Sequence, residues 1–170
     1  MERREFLKVA GFLAVLPGRI GAKTMSDEKP REIAKLEKPK KEWKEILDPQ
    51  AYQVLFEEAT ERPFSSALLE EKRKGTFLCA ACFLPLFESD AKYESGTGWP
   101  SFFQAIAGRL ETRTDFKLLL PRTEYHCARC GGHQGHVFDD GPQPTGKRYC
   151  NNGLALRFIA QGEQLPTLRT

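Results

Sequence analysis

Five cysteines and three histidines carry most of the reactive chemistry in this 170-residue sequence. Four of the cysteines form two pairs, Cys79-Ala-Ala-Cys82 and Cys127-Ala-Arg-Cys130, separated by residues 83–126. A two-residue gap lets both thiolates of a pair face one tetrahedral ion, and Gly131 and Gly132 give the chain room to turn back on itself. Two such pairs predict a closed structural Zn²⁺ site that staples two distant hairpins. The competing reading is two disulfides, which an exported protein would support.

Cys150 is the odd one, set in Arg148-Tyr-Cys-Asn-Asn-Gly. If this segment is extended, Arg148, Cys150 and Asn152 share a face, and a guanidinium beside a thiol favours the nucleophilic thiolate. The histidines fall together at His126, His133 and His136. Four sulfurs already satisfy zinc, so the imidazoles are free for another role. The alternative is a second metal at His133 and His136, with Asp139 and Asp140 supplying further ligands.

Something must position these groups, and the rest of the chain shows what. Asp48-Pro49 is a helix start, since aspartate caps and proline fits the first turn. Tyr52, Leu55, Phe56 and Ala59 then make an apolar stripe that Pro63 ends. A second helix is expected from about Ser66 to Lys74, with Gly75 as its stop. Beyond it, short apolar or alternating runs at Thr76–Leu78, Phe83–Phe87, Phe116–Leu120, Thr123–His126 and Leu154–Ile159, punctuated by glycine and proline, read as antiparallel strands. The expected class is mainly β (α+β), with helices at the front and a globular part over about 43–165, followed by a tail at 166–170.

Residues 1–24 carry a charged start and a short apolar run, with Arg3-Arg4-x-Phe6-Leu7-Lys8 resembling a twin-arginine export signal and Ile20-Gly21-Ala22 as a cleavage site. That run is too short to span a bilayer, so no stable membrane insertion is expected; the signal predicts a periplasmic protein, or a cytoplasmic one if it is not used. Residues 25–42 are mostly charged and are expected to form a solvated linker. The excess of positive charge lies in the first 24 residues, and the remainder is balanced, which argues against a nucleic-acid partner. A zinc-ribbon binding module and a thiol–disulfide oxidoreductase are the two other classes weighed; the neutral charge disfavours the first, and two C-x-x-C pairs without a βα pattern disfavour the second.

Several separated motifs occur in order: Arg62-Pro-Phe-Ser65, the first cysteine pair, Ser95-Gly-Thr-Gly-Trp-Pro-Ser-Phe102, Arg122-Thr-Glu124, the second pair, His133-x-Gly-His136-Val-Phe138-x-Asp140-Gly141 and Arg148-Tyr-Cys150-x-Asn152. Across about Asp48 to Phe158 the chain thereby resembles the methionine-R-sulfoxide reductases, the type B peptide methionine sulfoxide reductases. The resemblance implies two small antiparallel sheets leaning together, a structural zinc at Cys79, Cys82, Cys127 and Cys130, and reduction of methionine-R-sulfoxide in proteins or free. It implies Cys150 as nucleophile, leaving a sulfenic acid. His133, His136 and Asn152 would surround the departing oxygen, Arg148 paired with Asp140 would lower the thiol pKa, and Trp99 and Phe138 would bind substrate. Many relatives carry a resolving cysteine where this chain has Thr97. A one-cysteine cycle is therefore expected, with an external thiol or thioredoxin-like reductant acting on a monomer. Gln134 also departs, since the family usually has an apolar residue there.

Overall fold

The computed structural model describes residues 33–117 and 120–170. The export signal expected over 1–24 and residues 25–32 of the expected linker lie outside the described residues. Two helices come first, α1 (Lys40–Ile46) and α2 (Pro49–Glu57). Asp48 caps α2 as its sequence predicts, its Oδ1 accepting from the amides of Gln50 at 2.8 Å and Ala51 at 3.3 Å. Asp48→Ala is expected to cost about 1 kcal/mol, measured as a lower thermal midpoint with an unchanged fold. The helix ends earlier than Pro63 because Glu58 turns into the left-handed region (φ 55°) as its cap.

Three expectations are corrected. Residues 33–42 are not a free linker: Ile33 and Leu36 pack against the core, the Leu36 amide donates to Arg129 O at 2.7 Å, and α1 begins at Lys40. The second helix is only a short 3-10 turn, Ala67–Leu69, because residues 70–74 are all charged and offer no apolar stripe to bury. Phe116 and Leu120 are not in a strand; they follow the strand Leu110–Asp115 and are 76% and 77% exposed. That strand, Leu-Glu-Thr-Arg-Thr-Asp, lacks the alternation by which strands announce themselves.

Among the described residues, nine strands form two antiparallel sheets. They are β1 (Gly75–Cys79), β2 (Pro85–Glu88), β3 (Lys92–Tyr93), β4 (Ser101–Phe102), β5 (Leu110–Asp115), β6 (Arg122–Cys127), β7 (His133–Phe138), β8 (Arg148–Asn151) and β9 (Leu156–Ala160). The small sheet has the order β2-β1-β9 and the larger β3-β4-β8-β7-β6-β5. Gly75 opens β1 rather than stopping a helix, and a Cβ there would lie 2.2 Å from Ile159 O across the ladder.

The sheets meet through aromatic rings. Phe102 of β4 stacks on Phe87 of β2 at 4.2 Å and meets Phe77 of β1 edge-on at 4.9 Å, while Tyr125 and Tyr149 close on Phe87 from the larger sheet. Such rings bury large apolar areas in specific geometries and so fix how the sheets lean. The tail is also held: the Arg169 amide donates to Cys82 O at 3.1 Å and its guanidinium lies 4.3 Å over Phe83.

Candidate active site and metal centre

The cysteine pairs sit in two tight turns, one after β1 and one after β6, so the cluster joins the small sheet to the large one. In each turn an amide four residues on returns to the first cysteine, Phe83 to Cys79 O and Gly131 to Cys127 O, both at 2.9 Å. Both returning residues have positive φ, which glycine takes freely and phenylalanine does not. All four Sγ atoms lie within 4.8 Å of one another, with Cys79–Cys130 at 3.7 Å and Cys82–Cys127 at 3.5 Å. A tetrahedron with metal–sulfur bonds of about 2.3 Å has edges of about 3.8 Å, so the thiols are spaced for one ion and too far apart for disulfides. Burial pushes the Cys79 thiol up, whereas hydrogen bonds from Cys127 and the other thiols pull Cys82 down. Thiols this close cannot all ionise without a cation among them. The donor set therefore fits a structural metal.

The reactive groups lie on the larger sheet in one row. Arg113 pairs with Glu124, Glu124 with His136, His136 with Cys150 and Cys150 with Ser101, placing five strands' side chains on one face. Alternation sends Tyr125 and Tyr149 to the opposite face and the core. A bulge explains why His133, three residues before His136, shares its face. Tyr125 pairs with Gly135 and His126 with His133, so Gln134 is the extra residue, and the inserted step re-aims His133. Gly135 is required where β7 and β8 press together, since a Cβ there would lie 2.0 Å from Cys150 O.

Two carboxylates that sequence reasoning missed hold the imidazoles. Glu124, buried, accepts from His126 Nε2 at 2.9 Å and from His133 Nδ1 through one oxygen, and from Arg113 Nε at 2.8 Å through the other. Burial raises the Glu124 pKa, but the Arg113 bond and nearby imidazoles outweigh it, so the group is held down. Asp115 accepts from His136 Nε2 at 2.8 Å and Arg122 Nη2 at 2.7 Å. The Lys117 amide and then His136 hold its carboxyl well below the usual range. Each imidazole thus has a fixed tautomer, with the proton on the nitrogen facing the carboxylate. Glu124 stood in the Arg122-Thr-Glu124 motif with no role assigned, and Asp115 carried no signal of its own.

Burial pushes His133 down to about 4, more than Glu124 offsets. The ring is neutral at neutral pH, and its Nε2 is left to the amide of Asn152 at 3.5 Å. The unfolded chain's histidine takes up its proton near 6.5, so the neutral ring contributes stability that is complete above that pH and is lost as pH falls from 6.5 toward 4. The contribution is about 3 kcal/mol. Denaturant melts between pH 7 and 5 are expected to show this slope, and His133→Gln to remove it.

Cys150 sits half-buried on β8. Burial pushes its thiol up, while Arg148 and a hydrogen bond from the Thr97 hydroxyl pull it back toward ionisation. Arg148 is fixed for this: its Nε and Nη2 each bond Asp140 at 2.8 Å, and its guanidinium lies 4.3 Å over the Phe138 ring. The expected Arg148–Asp140 pair is present. Asp139, in contrast, pairs with Lys147, so neither aspartate turns toward His133 and His136 as a second-metal ligand. Thr97 itself is held by Ser95, whose Oγ lies 2.8 Å from Thr97 Oγ1 and 2.7 Å from Ser101 Oγ.

Asn152 does not continue the face of Cys150, because β8 ends at Asn151. Its side chain is buried, Oδ1 accepting from the Glu61 amide at 3.1 Å and Nδ2 donating to Gln134 O at 3.1 Å. Glu61 is a further residue the sequence did not mark: its carbonyl accepts from Trp99 Nε1 at 3.2 Å and its carboxylate from the amides of Gly153 and Leu154. Trp99, His136, Phe138, Cys150 and Asn152 line one cavity of about 130 Å³. That equals the liquid volume of roughly four waters, enough for a short side chain. Phe102, in contrast, is wholly in the core.

A single thiol stands apart from the sulfur cluster and opens on this small cavity, the setting of a nucleophilic cysteine. A model described as SelR domain matches residues 47–160. The chain is 51% identical over 129 residues to the peptide methionine sulfoxide reductase MsrB of Methanosarcina barkeri, covering 75% of this chain and 91% of that one. It is 50% identical over 128 residues to the MsrB of Pseudomonas putida, covering 74% and 96%, and 43% identical over 142 residues to the chloroplastic B1 enzyme of Arabidopsis thaliana, covering 79% and 70%. The chain belongs to the SelR-domain family, the MsrB peptide methionine sulfoxide reductases. Among solved structures, the Mis18 'Yippee-like' domain is 19% identical at a TM-score of 0.42, covering 54% of this chain and 100% of that one, a likeness too slight to argue from.

Proposed function

We propose that the protein reduces the R epimer of methionine sulfoxide, in damaged proteins or free, to methionine through Cys150. The observation that carries this is the placement of Cys150 across the ladder from His136 and beside Arg148, at a cavity walled by Trp99 and Phe138. The Trp99 face suits the substrate's S-methyl group, since sulfur and its methyl pack well on aromatic rings. Glu61 fixes that ring through the indole N–H.

The Cys150 thiolate attacks the sulfoxide sulfur. His136, held by Asp115 through Nε2, takes up the thiol's proton on Nδ1 and delivers it to the oxygen. The oxygen passes from the methionine sulfur to the Cys150 sulfur as the new sulfur–sulfur bond breaks, so methionine leaves reduced by two electrons and Cys150 is left as a sulfenic acid, oxidised by two. His133, Asn152 and Glu124 hold the site rather than react. An external thiol, small or on a thioredoxin-like protein, then attacks the sulfenic sulfur and releases water. A second thiol restores Cys150 and leaves as a disulfide. Thr97 cannot form an internal disulfide, and its hydroxyl instead favours ionisation of the Cys150 thiol.

The ion proposed at Cys79, Cys82, Cys127 and Cys130 is Zn²⁺, which when bound neutralises thiolate charge and cross-links the sheets. The protein is proposed to act as a monomer. Export is proposed from Arg3 and Arg4 alone, and fractionation after replacing both with lysine tests it. Among the described residues no helix is long and apolar enough to cross a membrane.

The test compares R and S sulfoxides of a methionine peptide with a dithiol reductant. Turnover confined to the R epimer is expected, and equal rates on both would overturn the assignment. One equivalent of substrate without reductant should add one oxygen to Cys150 by mass spectrometry. A disulfide from Cys150 to any of the other four cysteines would contradict the one-cysteine cycle.

A further inference from the structure

Gln134 is a polar residue with no exposed surface. It is also the extra residue of the bulge in β7. Its side chain spans two sites. Nε2 donates to Cys79 Sγ at 3.5 Å, a normal length for a bond to sulfur, and Oε1 accepts from Asn151 Nδ2 at 3.5 Å. Its carbonyl, freed from the ladder by the bulge, accepts from the Asn152 amide at 2.8 Å and from Asn152 Nδ2 at 3.1 Å. One residue thus touches a metal-site sulfur and both residues that follow Cys150.

Each contact has a reason. Four thiolates around a divalent ion leave net negative charge in a dry interior, where a donor on sulfur is worth more than in water. Asn151, buried beside it, spends its other bonds on Tyr125 Oη at 2.7 Å and Asn152 O at 2.8 Å. Nothing in this network swings freely. The Gln134 side-chain amide touches Cys79 at one end and Asn151 at the other, while its backbone carbonyl holds Asn152.

We infer that Gln134 is a positioning residue that ties Cys79 of the metal centre to the Asn151-Asn152 end of the nucleophile's strand, so that the two centres sense one another. The inference rests on the reading of the four cysteines as a metal site and of Cys150 as the reacting thiol. Groups that orient ligands from outside the coordination sphere act on metal retention as well as on geometry.

The probe is Co²⁺ loaded in place of Zn²⁺ in the full chain. Its ligand-field bands report four sulfurs around the ion, and its sulfur-to-metal charge-transfer band reports the electron richness of those sulfurs. Gln134→Met keeps the length of the side chain without its donor, and Gln134→Leu is a second apolar replacement. Tetrahedral ligand-field bands show that each has folded. Removing the donor is expected to move the charge-transfer band to longer wavelength and to speed loss of Co²⁺ to a chelator about tenfold. Alkylation of Cys150 with iodoacetamide, followed by mass, is expected to shift the band in the native sequence and not in either variant. Identical bands and release rates in all three proteins would overturn the inference, as would an alkylation shift that survives in the variants. Loss of sulfoxide turnover in Cys150→Ser is a separate readout, so failure of the reductase reading and failure of this coupling are told apart.

Discussion

Cys150→Ser is expected to lose turnover of methionine-R-sulfoxide entirely, a fall of at least about a thousandfold, while keeping the native thermal midpoint. A serine hydroxyl is both a far weaker nucleophile and unable to accept oxygen as sulfur does. Its smaller atom leaves the ladder intact, because pairing with Ser101 and His136 is made by backbone. The site also sets the pH profile. Burial holds the thiol up, so the rate should climb with pH through the alkaline side of neutrality as thiolate forms. Arg148→Met removes the strongest pull toward ionisation and should move that climb to higher pH. Steady-state rates and iodoacetamide labelling, each followed against pH, should move together. A labelling profile unchanged in Arg148→Met would show that the guanidinium does not govern the thiol.

Removing the metal, or replacing Cys82 by serine, is expected to be the larger structural insult. The four sulfurs join a turn of the small sheet to a turn of the large one, and both the arm at Leu36 and the tail at Arg169 are anchored on those turns. Structural zinc contributes on the order of 10 kcal/mol in small domains, comparable with the whole stability of a chain this size. Loss of the cooperative thermal transition, or a midpoint lower by at least about 15 °C, should follow chelation under reducing conditions. Calorimetry together with metal content checks it. A stripped protein melting at the native temperature would show that the aromatic seam of Phe77, Phe87 and Phe102 suffices alone.

The sequence exposed those parts of the molecule whose signals are local. The cysteine pairs are legible because two-residue spacing is itself a ligand geometry, and Asp48-Pro49 because a cap needs only its next neighbours. The pairing of Arg148 with Asp140 was implied by the family resemblance rather than by spacing. The roles of Glu124, Asp115 and Glu61 were not legible, because what makes them important is what distant segments bring beside them. Register cannot be read from residues such as Leu110–Asp115, which carry charge at positions that look solvated. The bulge at Gln134 hid in the same way. An apolar run misled at Phe116 and Leu120, where hydrophobic side chains stand exposed beyond the end of β5. The expected helix over residues 66–74 failed for want of anything to bury.

The row from Arg113 through Glu124, His136 and Cys150 to Ser101 draws one residue from each of five strands. A slip of one residue in any of them would turn that strand's contribution to the opposite face. Catalysis is therefore a census of correctly zipped molecules. In a refolded preparation, collapsed chains with native-like secondary structure and one misaligned strand would count as folded by circular dichroism and as dead by turnover. Specific activity divided by the folded fraction would then measure the fidelity of strand pairing.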